Sequence, residues 1–124
     1  MKSIMEFVNV LNKIKKIYMS LASEDSIVKE LKKWYDENKT YSDKPSSYYC
    51  GIAKDPDERK GQHESKDHDG KQIKKMIAIK CRDLQTSGNV EGMMGSAGFD
   101  IGNSNHWANG GTEDSTWVYL YKKP

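Results

Sequence analysis

Apolar residues are scarce in this chain of 124 residues: 35% are hydrophobic, against 31% charged. No run approaches the ~20 consecutive apolar residues that a bilayer-crossing helix requires, which excludes that class of membrane protein. No basic-then-apolar leader precedes the first predicted helix, so the sequence predicts a cytoplasmic protein with no membrane partner. Cysteine is equally sparse. Cys50 and Cys81 both sit in strand-like apolar settings and lack any zinc-ligand spacing, so they read as buried reduced thiols. A net charge of only +2 predicts weak non-specific adhesion to nucleic acid through charge alone.

What the chain does have is aromatic mass. Its 3 Trp and 7 Tyr argue against disorder, because burying large rings offsets the entropy lost on ordering. The length suits one domain with a single core. Charge is unevenly spread, with 18 Lys/Arg against 14 Asp/Glu in residues 1–83 and 2 against 4 in residues 84–124.

Ile4, Phe7, Leu11, Ile14, Tyr18 and Leu21 recur at helical spacing, with Lys13, Lys15 and Lys16 on the other side. Ser23 reads as the N-cap of a second helix burying Ile27, Val28, Leu31 and Trp34. Residues 1–46 are thus expected to form an N-terminal helical pair and loop packed on the core, residues 47–124. That core reads as a strand over 47–53, a helix over 56–65 and a nearly continuous apolar strand over 76–81. A glycine-weakened helix over 86–97 and an aromatic strand over 116–121 follow. The expected fold is α/β (α+β): a small three-stranded sheet flanked by helices, with an N-terminal helical hairpin.

The stretch from 47 to 63, Ser-Tyr-Tyr-Cys-Gly-Ile-Ala-Lys-Asp-Pro-Asp-Glu-Arg-Lys-Gly-Gln-His, concentrates the chemistry. Arg59 falls in the first turn of a helix, where free amides favour an anion and a guanidinium adds bidentate donors. An exposed arginine paired with Asp55 or Glu58 is the equal alternative. His63, one turn on, is a candidate general base or phosphate donor, or a surface histidine. Tyr49 is a candidate to orient water or phosphate, and Gly51 removes a side chain where something must approach the backbone. Glu91 is the only acid of its helix and a candidate ligand for Mg²⁺, or an exposed glutamate. His63, Asp67, His68 and Asp69 read as a solvated turn rather than a metal cluster. His106 and Trp107, amid Asn103, Asn105 and Asn109, form a candidate recognition loop with no evident mechanism.

Taken together, these residues resemble the GIY-YIG nuclease superfamily. Tyr49-Cys50-Gly51 is similar to its Tyr-Ile-Gly strand motif, followed by Ile52-Ala53 and Asp55-Pro56, then Arg59 and His63 in the helix. Glu91 lies where that family places its metal-binding glutamate. The resemblance covers residues 47–123 and implies a Mg²⁺-dependent endonuclease acting on nucleic acid. In that reading Tyr49 orients water or phosphate, Arg59 steadies the phosphate, His63 assists proton transfer and Glu91 holds the metal.

The first motif of that family, Gly-Ile-Tyr on an upstream strand, is absent. Tyr41 is the only phenol in the corresponding loop. One expectation restores the phenol: the strand over 117–121 pairs beside 47–53, so that Tyr119 or Tyr121 supplies it. The competing reading is a catalytically inactive GIY-YIG-like binding or interaction module, which the missing motif and low charge favour.

Overall fold

Segments rich in β-branched and aromatic residues pair into one mixed sheet. The computed structural model describes residues 14–19, 21–102 and 112–124. Among these, strands β1 (Lys15–Tyr18), β2 (Tyr48–Ala53), β3 (Met76–Lys80) and β4 (Trp117–Lys122) are ordered β1-β3-β4-β2 across the sheet. β1 runs parallel to β3, while β4 is antiparallel to both β3 and β2. The two central strands are covered on both faces. Ile77, Ala78 and Ile79 of β3 and Val118, Tyr119, Leu120 and Tyr121 of β4 are all buried, as their near-continuous apolar character requires.

Side-chain alternation divides the sheet into two faces. Tyr48, Cys50 and Ile52 of β2 join the larger core with helices α1 (Glu24–Asn38) and α3 (Leu84–Ser96). There α1 buries Ile27 and Leu31 completely, each contributing about 1.5–3 kcal/mol. The Ser23 side chain caps α1 by accepting a hydrogen bond from the Ser26 amide at 3.2 Å, as its sequence position predicts. The opposite face gathers Tyr49, Ala53, Ile73, Met76, Ala78, Tyr119 and Tyr121. Helix α2 (Pro56–Gln62), extended by one wide π-type segment (His63–Asp67), lies on that side. Cys50 and Cys81 are buried free thiols, as expected.

Two expectations are corrected. The sheet has four strands rather than three, and the N-terminal helical hairpin is not formed across residues 15–18, which are strand β1. A helical stripe would have buried Tyr18 and Leu21, yet they are 71% and 94% exposed. The flank of β3 away from β4 presents unpaired backbone donors and acceptors, and β1 satisfies them. Ile17 also suits a pleated, half-buried position, so tertiary pairing overrides the helical periodicity. Ile4, Phe7 and Leu11, the rest of that stripe, lie outside the described residues. Residues 15–18 are therefore woven into the sheet.

Candidate active site

A sharp strand-to-helix turn sets the first residues of the site. The Asp55 carboxylate accepts hydrogen bonds from the amides of Asp57 at 3.0 Å and Glu58 at 3.2 Å, and Pro56 occupies the first helical position. This fixes where α2 begins and hence where Arg59 and His63 fall, one turn apart. Arg59 is half-buried and forms no ion pair among the described residues. It borders a small cleft of about 90 Å³ shared with Ala53, Lys54, Asp55, Glu58 and Gln62.

At His63 the helix widens: the His68 amide donates to the His63 carbonyl at 3.1 Å. Single π-type turns of this kind recur at functional sites. Here the widening places Asp67 Oδ2 2.6 Å from His63 Nδ1, while His63 Nε2 lies 2.6 Å from the Tyr119 hydroxyl. With the carboxylate as acceptor, Nδ1 carries the proton and donates it, so Nε2 accepts from the Tyr119 O–H. Asp67, His63 and Tyr119 thus form a hydrogen-bonded chain. A second pair lies beside it, His68 Nε2 being 2.9 Å from the Tyr121 hydroxyl.

The pairing of β2 with β4 brings the phenols together. Gly51 stands opposite Tyr119 and Tyr49 opposite Tyr121. A β-carbon added at Gly51 would lie 2.6 Å from Tyr119 Cζ, so the mid-strand glycine leaves the space in which the phenol reaches His63. The Tyr49 ring is 4.9 Å from His63, 5.5 Å from Tyr121 and 6.2 Å from Tyr119. The Tyr119 and Tyr121 rings stack almost parallel at 6.2 Å. The expected approach of the last strand to 47–53 is therefore met, and Tyr41, fully exposed, is not part of the cluster.

Burial dominates the electrostatics. It pushes the Tyr49 phenol up to about 12, reinforced by the negative charges of Glu91 and Asp100 and opposed by Arg59. It drives Tyr119 well above the ordinary tyrosine value, again opposed by Arg59. The guanidinium thus acts on both phenols. His63 is held below its usual value, chiefly by burial; the bond to Asp67 works the other way, and Arg59 and His68 add to the lowering. Neutral imidazole is the form favoured near pH 7.

Glu91 lies on α3, in the layer across the sheet from α2. It is buried, which decides against an exposed glutamate, and desolvation raises its carboxyl to about 7. Its charge acts on Tyr49 and Cys50 of the edge strand β2. Among the described residues no group of three or more His, Cys, Asp or Glu is arranged to hold a metal ion. Mg²⁺ commonly takes one or two carboxylates and completes its shell with water and substrate phosphate, so the expectation for Glu91 requires solvent and substrate to reach a carboxylate that is buried here.

The structure therefore brings Tyr49, Arg59 and His63 into one neighbourhood and adds Tyr119, Tyr121, Asp67 and His68. Asp67 and His68, read as members of a solvated turn, are instead partners of the site. Their signal in the sequence was the i,i+4 spacing of His63 and Asp67, hidden because the helix was expected to end at residue 65. His106 and Trp107 lie outside the described residues. No protein-family model matches this chain, no curated protein matches it in sequence, and no solved structure matches its fold.

Proposed function

We propose that this protein is a GIY-YIG-like, metal-assisted phosphodiesterase acting on nucleic acid, with the phenol of the missing upstream motif supplied by Tyr119 from the last strand. The observation that carries this reading is the Asp67–His63–Tyr119 hydrogen-bonded chain lying in the field of Arg59. A neutral His63 takes the Tyr119 proton at Nε2, while Asp67 holds the other side of the ring and stabilises the imidazolium formed. As it does so, the attacking water passes its own proton to the Tyr119 oxygen, so that no free phenolate forms. The water oxygen attacks phosphorus, and the departing ester oxygen takes a proton back from the imidazolium through the same relay. Tyr49 orients the water or the phosphate. Arg59 offers planar, bidentate donors to the phosphate oxygens as charge builds on them. A divalent ion held by Glu91 would add positive charge on the Tyr49 side of the site.

One observation favours a second reading. Tyr119 is only 1% exposed, as suits a structural phenol in a module that binds without turnover. Cleavage of supercoiled plasmid and labelled oligonucleotides in Mg²⁺ or Mn²⁺ separates the two. The nuclease reading expects cleavage by wild type and loss of 100-fold or more, on the order of a removed transition-state donor, in Arg59→Ala and Glu91→Ala. Absence of wild-type cleavage, or its survival in both variants, overturns that reading. Binding without cleavage establishes the second.

A further inference from the structure

Lys71, Lys74, Lys75, Lys122 and Lys123 come from two distant parts of the sequence, yet they line one cleft of about 540 Å³ with no acidic side chain among the described lining residues. The sheet assembles it. The Lys122 amide faces the Lys75 carbonyl at 3.4 Å, setting the segment before β3 against the end of β4. A second cleft of about 260 Å³ shares Lys74 and Lys75 and adds Lys15, with Glu37 as its only acid among the described lining residues. Through these two shared lysines the clefts adjoin, and together they are a basic groove.

The lysines of this groove are of two kinds. Lys122 is tied to Asp43 at 3.1 Å and Lys123 to Asp100 at 2.7 Å, so both are largely neutralised. Lys71, Lys74 and Lys75 are exposed and form no ion pair among the described residues. Three lysines without an ion pair among the described residues thus share one concave surface, where low-dielectric walls focus the field. The groove also abuts the aromatic site: the Lys71 amide donates to the His68 carbonyl at 2.9 Å, and the His68 ring bonds Tyr121.

We infer that this groove holds the sugar-phosphate backbone of a nucleic-acid strand. Ammonium groups are compact point charges that neutralise phosphates without reading bases. A concave basic surface fits a linear polyanion, whereas a flat anionic membrane calls for protruding cations and exposed apolar side chains beside them. The onward path of the strand past Tyr121 to Arg59 rests on the phosphodiester reading; binding in the groove does not.

The test is fluorescence anisotropy with a fluorescein-labelled DNA oligonucleotide, single-stranded and duplex, between about 50 and about 200 mM salt. Replacing Lys71, Lys74 and Lys75 by Gln removes three phosphate contacts. The slope of log affinity against log salt is expected to fall by about 2.7 for duplex and about 2.1 for single strands, with an unchanged circular dichroism spectrum and melting temperature. Lys74→Gln alone should lower it by about 1. Wild type that does not bind, or a triple variant with the wild-type slope, overturns the inference. So does wild type that binds phosphatidylserine vesicles in place of DNA. A wild type that binds DNA through these lysines but never cleaves it removes the phosphodiester reading and leaves the groove standing. One that cleaves while the triple variant binds with wild-type slope removes the groove alone.

Discussion

The Nε2 of His63 lies 2.6 Å from the hydroxyl of Tyr119, a residue 56 positions further along the chain. This contact joins helix α2 to the last strand and exists only because residue 51, opposite Tyr119 in the sheet, has no side chain. It also sets the His63 tautomer, since Asp67 occupies the other ring nitrogen.

Tyr119→Phe removes the donor to His63 Nε2 and leaves the ring stack. The loss should cost about 1 kcal/mol of stability in urea unfolding. Because the lost bond favoured neutral imidazole, the His63 titration followed by NMR should move upward. An unchanged titration would show that Tyr119 does not donate to this ring.

Gly51→Ala forces a methyl against Tyr119 Cζ, and overpacking of this kind costs about 1–3 kcal/mol. Tyr119→Ala should relieve the clash, so the double variant loses less than the sum of the two single changes. Strict additivity in a double-mutant cycle would separate Gly51 from Tyr119.

Asp67→Asn removes the principal influence raising His63 and should shift its titration further to acid. The folded value already lies below the ordinary 6.5, so the folded protein binds fewer protons than the unfolded chain between the two values. The stability contributed by His63 is therefore full above about pH 6.5 and is lost as pH falls through its folded value. Chemical unfolding of wild type and Asp67→Asn across pH 5–8 checks the sign.

For Glu91 the sign reverses. Its folded carboxyl titrates near 7, above the ordinary 4.5, so the folded protein binds the extra proton between these values. The contribution is complete below about pH 4.5 and is lost as pH rises toward 7, a change of roughly 3 kcal/mol. Glu91→Gln should abolish this slope. Mg²⁺ held by Glu91 should raise the melting temperature of wild type at pH 7.5 and leave Glu91→Gln unmoved; equal shifts in both would place the ion elsewhere.

Much of this was legible locally. The Ser23 cap, the Asp55-Pro56 helix start, the all-apolar β3 and the one-turn spacing of Arg59 and His63 each depend on neighbours within a few residues, and sequence periodicity reports such terms directly. The need for a close backbone approach at Gly51 was also readable, though not what would approach.

What local pattern could not report was who pairs with whom. Lys15–Tyr18 has helical spacing, but an open flank of β3 makes it a strand. The order β1-β3-β4-β2 sets Tyr119 over Gly51, and the π-type turn aims Asp67 at His63. It likewise draws lysines from residues 71–75 and 122–123 into one groove. Helix starts and buried strand cores follow from short-range propensity and burial, which neighbouring residues carry. The His63–Tyr119 contact and the basic groove come instead from sheet register, a long-range free-energy choice made by the whole core.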